Sequence, residues 1–384
     1  MTTLPGLVER LRQLVSLPSV SSTDAGRDQS NRAVIDLLAE WLERLGFELS
    51  IQDVYGDGRK ANLIASKGSG PGGLVLAGHT DTVPYDEALW NYNPLNITEA
   101  NHKLYGLGAT DMKGFFPLVL EAVVALADTP LKHPLIILAT ADEESSMNGA
   151  RALAAAGMPK ARQAIIGEPT GLRPVRVHKG IMMEAVRIQG SSGHSSDPTL
   201  GKNALEGLHA VLGSLLEYRA SLGQRYNHPM FDVPFPTLNL GHVHAGDNPN
   251  RICGEAELHF DLRMTPGSSN ATLRSEISER LQRIGEDRGL TISMRSLIDG
   301  VEPYEQAADS ELVQLAEKLT GYSAEAVAFA TEAPFLQQLG MDTIILGPGS
   351  IKRAHQPDEY IEMDQFQPCT DLLSQFINHF CVKA

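Results

Sequence analysis

Cysteine is scarce in this sequence and forms no recognisable pairing pattern. Cys253, Cys369 and Cys381 are the three cysteines among 384 residues, and no Cys-x-x-Cys spacing occurs. An odd number of mostly distant cysteines is not the pattern of a disulfide framework. We therefore expect buried thiols in a reducing cytosol, and hence a cytoplasmic protein.

Long apolar runs are also missing. No window approaches the roughly 18 apolar residues that a membrane-spanning helix needs. The N-terminal segment 4–20 has apolar residues at helical spacing, but Glu9, Arg10 and Arg12 interrupt it, so it lacks the apolar centre of a signal peptide. The sequence predicts a protein that is neither secreted nor inserted in a membrane.

Positive charge is in deficit. The chain has 32 Lys and Arg against 47 Asp and Glu, a formal net charge of −15. Such a charge repels the phosphate backbone of nucleic acids and anionic lipid surfaces. We expect no nucleic-acid partner and no membrane partner, and small-molecule chemistry is the favoured class of function.

Two domains are expected from the length and from the periodicity of the apolar residues. The first part alternates helical patterns (31–45 and 112–127) with buried strand-length runs (74–77, 135–139, 164–166 and, much later, 343–346). This alternation predicts an α/β domain with a mostly parallel sheet and helices on both faces, formed by 1–176 and 291–384. Alternating strands at 183–188, 237–240 and 255–262, with helical stretches at 203–222 and 271–284, predict an inserted α+β domain over 177–290.

Side chains that can bind metals follow several of the predicted strands. They are His79 and Asp81, Glu143 and Glu144, Glu168, and, further along, His355, with Asp111 just before a predicted helix. The carboxyl ends of parallel strands converge on one crevice, so these groups can meet. Each has an ordinary alternative: Asp111 alone could cap the helix, and the Glu143–Glu144 pair could be a solvated helix start.

A cation is the simplest reason for like-charged groups to gather in one crevice. Asp111, Glu144 and Glu168 supply three negative charges, and a bound hydroxide a fourth, which two zinc ions would balance. Oxygen and imidazole ligands suit zinc, although cobalt or manganese could use the same ligands.

Six motifs in order resemble the co-catalytic zinc aminoacylase and carboxypeptidase family over essentially the whole chain. The motifs are Gly78-His79-Thr80-Asp81-Thr82-Val83-Pro84, Tyr105-Gly106-Leu107-Gly108-Ala109-Thr110-Asp111-Met112-Lys113-Gly114, Ala141-Asp142-Glu143-Glu144, Gly167-Glu168-Pro169, Gly193-His194-Ser195 and Ala354-His355-Gln356-Pro357. The resemblance implies a zinc-exopeptidase-like fold, hydrolysis of the amide bond of an N-acyl amino acid, and two zinc ions per subunit.

The resemblance also implies a role for each site residue. In the first domain, His79 and Glu168 would bind one zinc, Glu144 and His355 would bind the other, and Asp111 would bridge the two ions. Asp81 would orient His79, and Glu143 would be the general base.

The inserted domain would mediate a homodimer and act as a lid. Its His194 would stabilise the oxyanion, either in its own subunit or in the partner subunit. Asn250 and Arg263 would bind the substrate carboxylate. The ordinary alternative for His194 is a solvated loop histidine, and the ordinary alternative for Arg263 is a surface residue paired with an acid.

Within the family, the stretches around Leu238, Thr331-Glu332 and Leu346 resemble the members that act on N2-acetyl-L-ornithine in arginine biosynthesis. A desuccinylase of succinyl-diaminopimelate and a broader aminoacylase or dipeptidase stay open, because these related enzymes share the site.

Other classes of protein fit the sequence less well. A dinucleotide-binding fingerprint needs a third small residue where this chain has Asp111, which disfavours a dinucleotide-dependent oxidoreductase. The lack of a Gly-x-Ser-x-Gly motif disfavours a serine hydrolase. A metal-dependent binding protein would lack the general base, and Glu143 is present.

Overall fold

The computed structural model describes residues 4–127 and 129–382. Its α-helices are α1 (Leu7–Val15), α2 (Arg32–Arg44), α3 (Phe115–Ala125), α4 (Asn148–Ala156), α5 (Ala204–Arg225), α6 (Asn270–Arg288), α7 (Glu311–Thr320), α8 (Ala333–Gln338) and α9 (Phe366–Ile377). Its strands are β1 (Glu48–Asp53), β2 (Ala61–Lys67), β3 (Leu74–His79), β4 (Thr98–Ala100), β5 (Lys103–Tyr105), β6 (Leu135–Thr140), β7 (Gln163–Ile166), β8 (Val175–His178), β9 (Gly180–Gln189), β10 (Thr237–Ala245), β11 (Glu255–Met264), β12 (Thr291–Ser296), β13 (Tyr304–Glu305), β14 (Glu325–Val327), β15 (Asp342–Ile345) and β16 (Tyr360–Glu362).

The chain folds into two units. The first consists of the residues up to Arg176, Gln306–Glu325, and the residues from Glu332 onward; the second consists of Val177–Glu305 and Ala326–Thr331. The predicted C-terminal end of the insertion at 290 is wrong, because residues 291–305 belong to the second unit. The reason is strand β12, which pairs antiparallel with β9 from Thr291 to Ser296 and is therefore part of the second unit's sheet.

The central sheet of the first unit confirms the predicted fold class. Its strands run in the order β1-β2-β6-β3-β7-β15-β8, and the pairs β6 with β3, β3 with β7 and β7 with β15 are parallel. Every residue of β3, β6 and β7 is buried, as expected for parallel strands covered on both faces. The predicted strand runs coincide with these central strands to within one or two residues at each end.

Helices α2, α3 and α9 supply much of the core against this sheet. Trp41, Phe115, Phe116 and Phe376 are among its largest buried side chains. Helix α3 begins at Phe115 with Gly114 at its N-cap, so the ordinary alternative for Asp111, a helix cap, is not what the structure has. The three-residue segment after Asp111 is a turn instead.

The second unit has a four-stranded antiparallel sheet in the order β10-β11-β9-β12, packed against α5 and α6. Both helices start with a side-chain cap: Asn203 accepts from the Leu205 amide, and Ser269 accepts from the Thr272 amide. A separate apolar core contains Tyr218 and Phe260. The unit is thus α+β, with its own core.

The three cysteines are free and buried, as the sequence predicts. None of the helices within 4–127 and 129–382 combines the length and the apolar character that crossing a bilayer requires.

Candidate metal centre

The candidate site lies at the carboxyl edge of the parallel strands. β3 ends at His79, which is in register with Thr140 at the end of β6, while Ala77 is in register with Ile166 at the end of β7. The chain therefore delivers His79, the segment after Thr140 and Glu168 to one edge. A glycine is required at 167, because a Cβ there would lie 2.2 Å from the ring of Phe115. This close approach packs the start of α3 under the site.

The imidazole of His79 is buried and oriented by backbone. Its Nδ1 lies 3.0 Å from the carbonyl oxygen of Asp81. A carbonyl only accepts, so Nδ1 carries a proton, and loss of the Nε2 proton would leave the Nε2 lone pair for a metal. Nε2 faces Asp111 Oδ1 at 3.1 Å and Glu168 Oε1 at 3.7 Å.

The carboxylate of Asp111 lies between two imidazoles. Its Oδ1 faces Nε2 of His79 at 3.1 Å, and its Oδ2 faces Nε2 of His355 at 3.4 Å. His355 adopts a left-handed backbone conformation with φ 58°, which is uncommon for a residue other than glycine and clusters at functional sites. One oxygen for each imidazole is the arrangement that a bridging ligand between two cations needs.

Three further carboxylates complete the cluster. Glu144 Oε1 lies 3.1 Å from His355 Nε2. Two groups of three side chains have potential ligand atoms within 4.8 Å of one another: His79 with Glu143 and Glu168, and His79 with Asp111 and Glu144. Glu143 thus lies close enough to be either a ligand or the general base. All the metal-centre residues named from the sequence in the first domain are brought together.

Four carboxylates, on Asp111, Glu143, Glu144 and Glu168, share this cluster with two imidazoles, on His79 and His355. Burial, and then the neighbouring carboxylates, raise the pKa values of Glu143 and Glu168 well above their usual range. Burial and the charge of Asp111 raise the pKa of Glu144. Hydrogen bonds to Asp111 and Glu144 raise the pKa of His355 to about 10.

These shifts mean that the acids gather where ionisation is unfavourable without positive charge. Divalent cations would supply that charge and return the carboxylates to their ionised, ligating form. The residues present therefore fit two metal ions, by donor type and by electrostatics.

The carboxylate of Asp81 makes no hydrogen bond to His79, and its role in orienting that imidazole stays a prediction. Its carboxylate Oδ1 is 3.8 Å from His79 Nδ1, too far for a hydrogen bond, and the backbone carbonyl makes the contact instead. The carboxylate accepts from the amides of Glu143 at 3.3 Å and Glu144 at 3.1 Å. Asp81 thus holds the segment that carries these two residues.

Glu359 is a site residue that the sequence analysis missed. Its buried carboxylate accepts from the amides of Gly108 at 3.1 Å, Thr110 at 2.7 Å and Asp111 at 3.0 Å. Burial, and then the charge of Asp111, raise its pKa to about 8. Three amides on one carboxylate fix the turn that presents Asp111. Its position four residues after His355, just beyond the motif Ala354-His355-Gln356-Pro357, was the available signal.

Glu332, named from the sequence only as part of a stretch that resembles relatives, is a second residue that lies beside the site. It is buried, its Oε2 lies 2.9 Å from the hydroxyl of Thr140, and its Oε1 has no hydrogen-bond partner among the described residues. Burial raises its pKa to about 7, against the effect of the charge of His79. It adds another acid to the group around the strand ends.

His194 and Asn250 lie together in the second unit. The Ser195 amide donates to the Asn250 carbonyl at 3.1 Å, and His194 pairs with Arg251 in an isolated bridge. The imidazole is exposed, and its Nδ1 accepts from the Ser196 amide at 3.2 Å. A neutral ring that accepts at Nδ1 carries its proton on Nε2. His194 therefore presents a donor, and its role toward the metal centre stays a prediction.

Arg263 lies on β11 of the second unit. Its Nε donates to both oxygens of Asp261, at 3.1 and 3.0 Å. This is the ion pair that the ordinary alternative expects. Substrate binding by Arg263 stays a prediction, and it would require the guanidinium to serve two carboxylates.

The fold and the site define a class: a metal-dependent hydrolase with a largely parallel α/β sheet whose strand ends carry a cluster of potential metal ligands. The sequence profile of Peptidase family M20/M25/M40 matches residues 75–379, and the chain belongs to this family. It is a hydrolase that cleaves amide bonds and depends on metal ions.

Relatives match along the whole chain. A protein named acetylornithine deacetylase from Pectobacterium carotovorum is 48% identical over 378 residues, 98% of this chain and 98% of its own length. Another of that name from Photorhabdus laumondii is 47% identical over 380 residues, 99% of this chain and 98% of its own. The structure of an M20 family metallo-carboxypeptidase from Sulfolobus solfataricus has a TM-score of 0.74 at 19% identity, covering 97% of this chain and 99% of that one. The structural likeness concerns the fold alone.

Proposed function

We propose that this chain removes the acetyl group from N2-acetyl-L-ornithine, giving L-ornithine and acetate. Nearly half of the residues are identical, over almost the full length, to proteins named for that reaction. The observation that carries the hydrolytic mechanism is the carboxylate of Asp111, with one oxygen facing His79 and the other facing His355.

We further propose that the metal ions are two zinc ions. His79, Glu168 and Oδ1 of Asp111 would hold one, and His355, Glu144 and Oδ2 of Asp111 the other. When bound, two such ions polarise the scissile carbonyl and lower the pKa of water. Imidazole and carboxylate ligands suit zinc, and cobalt can take the same ligands.

Glu143 is the proposed general base. It is buried beside the ligands, and its amide and that of Glu144 are held by Asp81. A carboxylate there can accept the proton of the attacking water and pass it to the leaving nitrogen of L-ornithine.

The second unit is proposed to complete the site. The Nε2–H of His194 would donate to the oxyanion, and Asn250 and Arg263 would bind the α-carboxylate of the substrate, as arginine does in a bidentate manner. A homodimer joined through this unit would supply His194 from the partner subunit. The dimer and the cytoplasmic location stay predictions from the sequence.

Substrate class is tested with purified, zinc-loaded protein. The panel is N2-acetyl-L-ornithine, N-succinyl-diaminopimelate, other N-acetyl amino acids and dipeptides, with the release of a free amine as the readout. We expect kcat/KM for N2-acetyl-L-ornithine to exceed that of the other substrates by about 100-fold. A higher value for the succinylated substrate or for a dipeptide would contradict the proposal.

The role of Glu143 is tested with Glu143→Gln. The amide preserves shape and cannot accept a proton, so we expect kcat to fall by about 100- to 10,000-fold while both metals are retained. Glu48→Gln, an exposed substitution on β1, is the matched control and keeps wild-type turnover. Loss of metal in proportion to activity would make Glu143 a ligand instead.

A further inference from the structure

Asp142, next to the proposed general base, is held by three side chains from elsewhere in the first unit. Its Oδ1 accepts from Lys60 Nζ at 2.6 Å and from Ser21 Oγ at 2.8 Å. Its Oδ2 accepts from the hydroxyl of Tyr55 at 2.8 Å. Asp142 is buried, and its φ of 59° lies in the left-handed region, which aspartate tolerates better than most residues. The three donors therefore hold an unusual backbone conformation one residue before Glu143.

Lys60 forms the buried part of this arrangement. It is 3% exposed, and its ammonium also donates to Asp28 Oδ1 at 2.8 Å. Removing one partner of such a buried ion pair leaves an uncompensated charge, which is strongly destabilising. Lys60 thus combines a structural role with contact to Asp142, and its substitution cannot separate the two.

Tyr55 forms the exposed part. The residue is 51% exposed, so it contributes little to the core. Its loop is fixed by Asp53, whose carboxylate accepts from the amides of Tyr55 at 3.2 Å, Gly56 at 2.8 Å and Gly58 at 2.7 Å. The phenol donates its proton to Asp142 and accepts from Asn148 Nδ2 at 2.9 Å. It therefore links both ends of the segment that carries Glu143.

We propose that Tyr55 is a positioning residue for Glu143 and acts through Asp142. The inference rests on the proposed role of Glu143 as general base. The carbonyl of Asp142 accepts from the amides of Ser146 and Met147, at 3.0 and 2.7 Å, so a shift of Asp142 is passed to the whole segment. Misplacing a reacting group by about 1 Å can reduce a rate by about 100-fold. The Tyr55 hydroxyl limits that displacement from outside the site.

The first experiment is Tyr55→Phe, which removes one hydroxyl from an exposed side chain. We expect kcat with N2-acetyl-L-ornithine to fall by about tenfold, with KM, metal content and melting temperature unchanged. Tyr322→Phe is the matched control, since Tyr322 is 45% exposed and lies against Arg173. A wild-type kcat for Tyr55→Phe, or a loss accompanied by a lower melting temperature, would overturn the proposal.

The second experiment asks whether Tyr55 acts through Asp142. Asp142→Asn has the same shape and loses the charged acceptor. If the two residues act through one hydrogen bond, the double variant Tyr55→Phe/Asp142→Asn should have the kcat of Asp142→Asn alone. Full multiplication of the two single losses would show that Tyr55 acts independently, against the proposal.

A third measurement does not depend on turnover. Hydrogen exchange of the amides in 143–147 of the metal-loaded protein should be faster in Tyr55→Phe than in the wild type, because the segment opens more often. Unchanged exchange would refute positioning by Tyr55 even if no substrate had been found. Faster exchange in a protein that hydrolyses no acylated amino acid would contradict the proposed function and leave the positioning contact supported.

Discussion

The metal-free protein should lose stability as the pH rises, and Glu332 should account for a measurable part of that loss. Its carboxyl group is buried, one oxygen has no hydrogen-bond partner among the described residues, and its pKa rises from 4.5 to about 7. A folded state that raises the pKa of an acid binds its proton more tightly than the unfolded state does. The stabilisation is therefore complete below about pH 4.5 and is lost as the pH rises through about 7.

The size of the stability loss follows from the difference between the pKa values of Glu332 in the unfolded and folded states. At about 1.4 kcal/mol for each pH unit between the two pKa values, Glu332 contributes about 3 kcal/mol. Glu332→Gln cannot ionise, so its metal-free form should lose about 3 kcal/mol less free energy of unfolding between about pH 4 and pH 9. Bound cations favour ionised carboxylates, so metal loading should reduce the difference between the two proteins.

Urea unfolding of chelator-treated protein at several pH values measures this directly. Glu48→Gln, exposed on β1, is the control and should keep the wild-type slope. If wild type and Glu332→Gln lost the same free energy of unfolding with rising pH in the absence of metal, Glu332 would not be the neutral buried acid inferred here.

Three further predictions concern the site. Asp111→Ala should lower the content of both metals, because one carboxylate faces both imidazoles, and elemental analysis showing two retained ions would refute the bridging role. Arg263→Ala should raise KM for N2-acetyl-L-ornithine with kcat nearly unchanged; an unchanged KM would leave only the ion pair with Asp261. A mixed dimer of His194→Ala and Glu143→Gln chains should recover activity toward half of wild type if His194 is donated in trans, and a mixed dimer as inactive as its parents would rule this out.

The central strands could be predicted because their burial is continuous. Runs such as 74–77 and 135–139 contain only apolar residues, and parallel strands covered on both faces need no other pattern. The start of α3 at Phe115 could not be predicted in this way. The apolar content from 112 onward fits a helix, but the three amide contacts of Glu359, a residue about 250 positions away, fix a turn there instead. A local pattern does not contain that contact.

The strand near the end of the second unit, which closes at residue 305, could be recognised from the periodicity of its apolar residues. Residues 291–296 alternate, with Ile292 and Met294 partly buried and their neighbours exposed, which is the pattern of an edge strand. Their pairing with β9, more than 100 residues earlier in the chain, decides which unit they join. Periodicity identifies such a strand but does not identify its sheet.

The metal-centre residues could be named because their chemistry is in their side chains, and the contacts that hold them could not, because many of these involve backbone. The case of Asp81 shows the difference. Any residue at position 81 offers a carbonyl oxygen, so the contact with Nδ1 of His79 leaves no trace in the residue type. The carboxylate of Asp81 instead accepts from the backbone amides of Glu143 and Glu144. Those amides are also independent of residue type, because almost any residue at 143 and 144 would offer them. An acid two positions after a histidine therefore predicts an acceptor near the site, and only the structure tells which donor it serves.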